Sequence, residues 1–308
     1  MSIESFKLIK QRKKIWFLSS ALIVISLLGI LFSSFFTSFK KPINLGMDFL
    51  GGTEIRIERI CPNKTCSDET SDVVTKSLKD ISDDKILINK IRLQIQNDNK
   101  SIAIRTPELN IEQTEILIKN LDKILPLNFD SEQTRNIGKL LGKNLLISGA
   151  TSLFLALTAI SIYISIRFDR KYALFALLAL FHDLFIVFGL FSWLGVLFSI
   201  EVNSLFLVSL LTIAGYSVND TVVIFDRIRE NITLNSDQNI NQIIQKSVNE
   251  SFRRTFFTSL TTLFPLLSLI IFGSYSLLWF AIALAVGILI GSYSSILLAP
   301  SLLLSTSE

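Results

Sequence analysis

Histidine and cysteine are nearly absent from this sequence, and their scarcity excludes several kinds of protein. The 308 residues include one histidine and two cysteines, which are too few soft ligands for a zinc or iron–sulfur site. The sequence also contains no nucleophile paired with a base, no glycine-rich phosphate loop and no metal-ligand spacing. It therefore predicts neither an enzyme nor a cofactor. The net charge of +4 is small and spread over separate loops, which predicts no binding to nucleic acid.

Charged residues are scarce as well. They make up 18% of the chain, whereas a soluble domain carries about 25%. Hydrophobic residues make up 50% of the chain, and many of them lie in continuous runs of the length that a membrane-spanning helix needs. The composition therefore predicts an integral membrane protein whose helices contact lipid.

Six apolar runs predict six transmembrane helices, with a large polar region between the first and the second. The first run, 15–36, follows a short basic segment, 1–14, and has no Ala-x-Ala-like cleavage site, so we expect an uncleaved helix. The other five belong to a membrane domain, 144–304, which precedes a short tail, 305–308. These five runs are 145–166, 173–198, 205–225, 256–272 and 277–304.

The distribution of basic residues predicts the orientation of these helices. The loop 167–172 and the segment 226–255 are basic, whereas the loops 199–204 and 273–276 contain no lysine or arginine. Short loops rich in lysine and arginine stay in the cytoplasm. We therefore expect both termini in the cytoplasm and the polar region 37–143 outside it.

The polar region 37–143 has the pattern of a small α+β domain. The pair Gly51-Gly52 predicts a tight turn at its start. Alternating apolar residues predict strands, and helical periodicity predicts helices. In chain order these are strand 53–60, helix 68–81, strands 91–95 and 102–104, helix 111–125 and edge strand 127–129. The order β-α-β-β-α-β predicts a ferredoxin-like domain between the first and second transmembrane helices.

Both cysteines, Cys61 and Cys66, lie in one short loop of this domain. Outside the cytoplasm, two cysteines so placed are able to form a disulfide. The alternative is two free thiols in a surface loop, because so short a loop gains little from closure.

Two further patterns concern helix packing. Apolar residues share one face of segment 226–255, which predicts an amphipathic helix on the inner membrane surface with Ser236 as its cap. Pro265 should disturb the fifth transmembrane helix locally. In the sixth, small residues recur every four positions and predict close helix contact rather than chemistry. They are Gly287, Gly291, Ser295 and Ala299.

Asp220 is the clearest candidate for a functional residue. It lies in the fourth apolar run, about five residues from the charged residues that mark the membrane surface. An aspartate near the middle of a membrane costs about 2.5–3.5 kcal/mol, so such residues usually face other helices and carry function. Helical spacing places Tyr216 and Asn219 on the same face, flanked by Ser217 and Thr221. The alternative is an aspartate held by a neighbouring helix for packing alone.

Three other ionisable residues lie within or beside the predicted membrane helices. His182 and Asp183 lie near the middle of the third helix, and adjacent helical positions point about 100° apart. We therefore expect only one of them to face a given neighbour. Arg254 precedes the fifth helix and is the basic residue placed to reach Asp220. An aspartate that gains and loses a proton beside a movable arginine predicts a proton relay.

Several motifs resemble the SecF family of protein-export membrane proteins, which is related to the resistance–nodulation–division (RND) transporters. The resemblance covers nearly the whole chain in order, and the block 215–231 is its most specific part. The motifs are GMDFLGGT at 46–53, Arg167-Phe168, His182-Asp183, GYSVNDTVVIFDRIREN at 215–231, Arg254-Thr255 and GSYSS at 291–295.

This resemblance implies a multi-pass protein of the bacterial inner membrane with a periplasmic domain. With SecD, such a protein uses the proton gradient to draw unfolded polypeptides from the SecYEG channel after SecA has acted. YajC and YidC are further implied partners. The implied relay aspartate is Asp220 and its arginine is Arg254; the predicted site also includes Tyr216, Asn219 and Thr255, with His182 and Asp183.

The chain departs from this pattern before its second helix, where Asn136-Ile-Gly-Lys139 replaces the usual Val-Gly-Pro, and at Arg253, where a small polar residue is common. Arg253 leaves two arginines as candidates. Two other functions remain open. One is half of a small-molecule or lipid exporter of the RND type, which would need a partner half. The other is a passive scaffold of the translocase that carries no protons.

Overall fold

A computed structural model describes residues 8–37, 40–61, 91–96, 100–235 and 238–305 of the chain. The chain forms two compact units. The membrane unit contains residues 1–44 and 149–308, and the head unit contains residues 45–148. The elements in chain order are α1 (Leu8–Phe36), α2 (Met47–Leu50), β1 (Gly52–Arg59), β2 (Arg92–Gln96), β3 (Ser101–Thr106), α3 (Ile111–Asp122), β4 (Leu127–Ile137), α4 (Lys139–Arg167), α5 (Arg170–Phe198), α6 (Ser204–Leu234), α7 (Ile240–Phe272), α8 (Tyr275–Tyr293), a π-helical turn (Ser294–Leu298) and α9 (Ala299–Ser305).

Six helical stretches in the described part of the chain are long and apolar enough to cross a membrane. They are α1, α4, α5, α6, α7 and the stretch from Ser276 to Leu304, which runs through the π-helical turn. Each contains 29 to 33 residues, a length of about 44–50 Å at 1.5 Å per residue. Because the hydrocarbon core is about 30 Å thick, the ends of these helices extend beyond it. The prediction of six apolar helices is confirmed.

The amphipathic segment before the fifth predicted span is not a separate helix. It is the first half of α7, which is continuous from Ile240 to Phe272. No glycine or proline occurs before Pro265 in this helix, so nothing in the sequence ends it at the membrane surface. Its N-cap is Asn239, whose side chain accepts a hydrogen bond from the Asn241 amide at 2.9 Å. The expected cap, Ser236, lies outside the described residues.

The sixth membrane helix contains a π-helical turn that the apolar pattern of its sequence does not indicate. Within Ser294–Leu298, the amide of Ala299 donates to the carbonyl of Ser294, five residues earlier. Pro300 explains this turn because it has no N–H to donate to the Ile296 carbonyl, four residues earlier. The wider turn places the adjacent residues Ser294 and Ser295 both in the protein interior, where neither has any exposed surface.

The stripe of small residues does serve close packing. A side chain at Gly287 would collide with Ile213 of α6. A Cβ atom at Gly291 would lie 3.3 Å from the Ser217 Cβ and 3.6 Å from Asp183 Oδ2. The small residues therefore bring the sixth membrane helix against α6 at the level of Ser217.

The head unit is built on a four-stranded antiparallel sheet of order β2-β3-β1-β4. Ile55 and Ile57 of β1 and Ile102 and Ile104 of β3 face α3, and all four are buried in the same core. Asn110 and Gln113 form a capping box that fixes the start of α3. The strand order is that of a ferredoxin-like fold, as predicted for this region. The expected helix 68–81 lies outside the described residues.

Strand β4 is longer than expected, since it runs from Leu127 to Ile137 rather than to Phe129. Residues 130–136 are all polar and give no signal of a buried strand. They form a strand because they pair with β1, with a shift of register between Arg56 and Glu58. The apolar residues therefore revealed only the first three residues of β4, where Leu127 contacts the core.

The two glycines where β1 begins, Gly51 and Gly52, have backbone angles that other residues rarely adopt. Gly51 has φ of 75° and Gly52 has φ of 138°, and glycine reaches this region without steric cost. A Cβ at Gly51 would lie 2.9 Å from the carbonyl oxygen of Ile137. The tight turn predicted here is confirmed. Cys61 follows β1, but Cys66 lies outside the described residues, so the predicted disulfide stays a prediction.

Candidate functional site

Asp220 lies in the middle of α6 and is 3% exposed. Its Oδ2 atom is buried and has no hydrogen-bond partner among the described residues. The neighbouring Asn219 is exposed, whereas Tyr216 is half-buried. Helical spacing predicted that these three residues share one face of α6. On that face Asp220 is buried and Tyr216 is partly buried, but Asn219 is not. Asp220 is a buried acid with one oxygen that is free to accept a proton or a hydrogen bond.

Arg254 lies on α7 and lines the same cleft as Val223, which is three residues beyond Asp220 on α6, so that its charge acts on the Asp220 carboxyl group. The side chain is exposed, and it forms no salt bridge with the acids of the described residues. The preceding Arg253 stacks on the ring of Phe257 at 5.9 Å instead. Thr255 is buried, and its carbonyl accepts a hydrogen bond from Ser259 at 2.8 Å. This arrangement favours Arg254 over Arg253 as the partner of Asp220.

His182 and Asp183 form a second buried group. His182 Nδ1 is hydrogen-bonded to Asp183 Oδ1 at 2.9 Å, and both side chains are buried. Ser217 of α6 and Ser294 of the π-helical turn each donate a hydrogen bond of 2.6 Å to Asp183 Oδ2. Asp183 therefore joins three membrane helices. Of the two, Asp183 is the residue that bonds to α6 and to the sixth membrane helix, whereas His182 bonds to Asp183.

Two further hydroxyl groups extend this network along α6. Thr221 and Ser295 lie 2.8 Å apart, and the Ser295 hydroxyl donates to the Ser217 carbonyl at 3.1 Å. None of these hydrogen bonds reaches the carboxyl group of Asp220, whose Oδ2 has no partner. The network therefore fixes α6 against the sixth membrane helix while leaving Asp220 outside it.

Tyr216 belongs to a separate polar cluster between α6, α7 and α8. Its hydroxyl donates to Ser259 Oγ at 3.1 Å, and Ser259 lies 2.5 Å from Ser292 Oγ. Thr262 donates to the Tyr216 hydroxyl at 3.4 Å. Sequence reasoning missed Ser259, Thr262, Ser292 and Ser294 as members of these networks. The GSYSS motif held a signal for two of them, since four hydroxyl groups in five residues of an apolar helix need partners.

The end of α6 carries a set of ion pairs. Asp226 accepts two hydrogen bonds from one nitrogen of Arg167, at 2.9 and 3.0 Å. Arg227 pairs with Glu230 and with Glu250 of α7, each at 2.7 Å. A cleft of about 450 Å³ between α6 and α7 is lined by Asp226, Arg227, Glu230, Glu250 and Arg254. The cleft begins one helical turn beyond Asp220 on α6.

The two intramembrane acids differ in what they are able to do. Asp183 accepts hydrogen bonds at both oxygens, so its protonation would disrupt contacts that join three helices. Asp220 lacks such contacts, and a buried carboxylate with an unsatisfied oxygen is costly unless a cation or a proton compensates it. In the ranges that the structure describes, no three metal-ligating side chains come together. The chemistry that this site supports is the gain and loss of a proton at Asp220.

These features define a class of protein: a membrane protein with six spanning helices, an α+β head between the first two, and two buried acids in the helix bundle. Residues 117–308 match the model of the protein export membrane protein SecD/SecF C-terminal family. Residues 36–58, which include Gly51 and Gly52, match the SecD/SecF GG motif. The chain therefore belongs to the SecD/SecF family, and the resemblance found in its motifs is confirmed.

Individual relatives agree with this family. The chain is 44% identical to protein translocase subunit SecF of Prochlorococcus marinus, over 99% of this chain and 96% of the relative. It is 40% identical to SecF of Synechocystis, over 96% and 92%. Among solved structures it resembles SecDF from Thermus thermophilus, a translocon-associated membrane protein, with a TM-score of 0.81 and 27% identity. The match covers 99% of this chain and 39% of that much longer chain.

Proposed function

We propose that this chain is the SecF component of a protein-export complex and that it couples the transmembrane proton gradient to polypeptide export. Asp220 carries the proton, and Arg254 moves in response to the change in the charge of Asp220. The proton neutralises Asp220 and frees Arg254, and loss of the proton draws Arg254 back. The observation that carries this proposal is the buried, unpartnered oxygen of Asp220 beside an arginine that has no acid partner in the described structure.

SecD is the first partner that we propose. The similar structure from Thermus is of SecDF, and this chain spans 39% of it. In this proposal, SecD supplies the rest of such an assembly. SecYEG, YajC and YidC are proposed as further partners, and unfolded exported polypeptides as the cargo. We also propose the bacterial inner membrane as the location, with both termini in the cytoplasm and the head unit in the periplasm.

Four of the other predicted relay residues receive supporting roles in this proposal. His182 and Asp183 hold α5, α6 and the sixth membrane helix together, and Thr255 fixes the turn of α7 that carries Arg254. Tyr216 joins α6 to α7 beside Asp220 through Ser259. None of these groups needs to change its protonation state for Asp220 to do so.

A matched pair of arginine variants tests the proposal. Arg254→Gln should abolish gradient-stimulated export in vesicles that contain the complete export complex. A neutral side chain cannot respond electrostatically to the charge on Asp220. Arg253→Gln changes the same residue type one position away and should leave export near its normal rate, because Arg253 packs on Phe257. Equal export by both variants, at equal expression and assembly, would contradict the relay and favour a passive scaffold.

A further inference from the structure

Glu250 and Arg254 lie four residues apart on α7, with the acid on the N-terminal side. This spacing and order are the most favourable ones for an ion pair along a helix. The two residues also line the same cleft. An ion pair between them is therefore the default arrangement, but the structure does not contain it.

Glu250 is instead held by residues of α6. Its Oε2 accepts a hydrogen bond from Arg227 Nε at 2.7 Å and another from Asn231 Nδ2 at 2.9 Å. Asn231 is buried and is fixed in turn by Ser247, also at 2.9 Å. The acid thus points across the cleft to α6 rather than along α7.

The other acids of the cleft are matched in the same way. Asp226 pairs with Arg167, and Glu230 pairs with Arg227. Among the described residues that line the cleft, each carboxylate therefore has an arginine other than Arg254. Arg254 is left with Asp220 as the acid on which its charge acts.

We propose that Arg227 is a positioning residue that keeps Glu250 away from Arg254, so that Arg254 remains available to Asp220. This inference rests on the proposed function, since it concerns the same relay. Without Arg227, Glu250 turns along α7 and captures Arg254. Proton release from Asp220 then loses the cation that stabilises the carboxylate, although Asp220 and Arg254 are both unchanged.

The test measures proton flux through the complex of this chain with SecD in lipid vesicles. Without Arg227, Glu250 and Asp220 compete for Arg254, and an exposed ion pair changes the outcome of that competition by a small factor. Arg227→Gln should therefore lower the flux roughly twofold to fivefold. Glu250→Gln should retain normal flux, because the neutral side chain cannot capture Arg254. The double variant R227Q/E250Q should recover the flux that Arg227→Gln loses. Arg227→Lys should retain most of it, since the charge remains.

The rescue separates positioning from structure. If Arg227 only stabilises the fold, removal of Glu250 as well cannot restore the flux, and a double variant as slow as Arg227→Gln overturns the proposal. Normal flux in Arg227→Gln also overturns it. Flux would be normal in Arg227→Gln if Lys246, four residues earlier on α7, captured Glu250 in place of Arg254. Asp220→Asn in the same vesicles separates failure of the relay from failure of the role of Arg227. Full flux in Asp220→Asn refutes the relay itself. Loss of flux in Asp220→Asn together with normal flux in Arg227→Gln refutes only the role of Arg227.

Discussion

Replacement of Asp183 by alanine should destabilise the membrane unit far more than the same replacement of Asp220. Both acids are buried in the helix bundle. Asp183 accepts hydrogen bonds from Ser217 and Ser294 and is hydrogen-bonded to His182. Asp220 has an oxygen with no partner. The first acid therefore holds helices together, whereas the second contributes little to their association.

The size of the effect follows from the number of partners. Hydrogen bonds between membrane helices contribute about 0.6 kcal/mol on average and about 1.7 kcal/mol at most. Asp183→Ala leaves three groups without a partner, which gives a loss of about 2–5 kcal/mol in the free energy of unfolding. Asp183→Asn is the matched control: its oxygen still accepts from both serines, and its amide is able to donate to His182. It should lose less than about 1 kcal/mol.

The assay is equilibrium unfolding in mixed micelles of mild detergent and dodecyl sulfate, followed by circular dichroism. Asp220→Ala is measured beside Asp183→Ala and should change the free energy of unfolding by less than about 1 kcal/mol. Ser217→Ala and Ser294→Ala should each lose a fraction of the Asp183→Ala effect. A small loss in Asp183→Ala, or equal losses in the two aspartate variants, would refute the assignment of one acid to structure and the other to proton transfer.

Three further predictions concern the sixth helix and the head unit. Pro300→Ala supplies the N–H that the Ile296 carbonyl lacks, so it should remove the π-helical turn and destabilise the protein. If the turn acts through Ser294, this loss of stability should disappear in a Ser294→Ala background. A cysteine introduced at Asn99, in the predicted hairpin turn, should react with an impermeant thiol reagent added to intact cells in a Cys61→Ser/Cys66→Ser chain. Labelling only after lysis would reverse the proposed orientation. Cys61 and Cys66 should be joined in peptides of the non-reduced protein, and two alkylated thiols in a mass spectrum would favour the surface-loop alternative.

The large features of this fold are predictable because they depend on local composition. Continuous apolar runs predict the membrane helices, and alternation of apolar residues predicts β1 and β3. The pair Gly51-Gly52 predicts a turn because few other residues adopt its backbone angles. Features that depend on distant partners were not predictable in the same way. The polar residues of β4 form a strand through pairing with β1, and α7 continues through the membrane surface because no residue there ends a helix.

The buried acids of the candidate site could be located from the sequence, but their contacts could not. The cost of an acid in hydrocarbon drew attention to both Asp183 and Asp220, with Asp220 as the clearest candidate, but it did not show what either acid contacts. Only the structure separates them, because the partners of Asp183 come from α6 and from a π-helical turn that depends on Pro300. Helical spacing also placed Asn219 on the same face as Asp220, but Asn219 is exposed and Asp220 is buried. Sequence spacing predicts which residues share a face but not how far a neighbouring helix covers it.

Proton uptake by the reconstituted complex tests the central claim most directly. Vesicles that contain this chain with SecD are placed in an imposed proton gradient, and a pH-sensitive dye inside them reports the rate of uptake. Asp220→Asn has nearly the same shape as the native residue but cannot ionise. We expect it to fold, to co-purify with SecD and to reduce gradient-driven uptake to the rate of empty vesicles. Uptake at the native rate by this variant would contradict the account, because another group would then carry the proton.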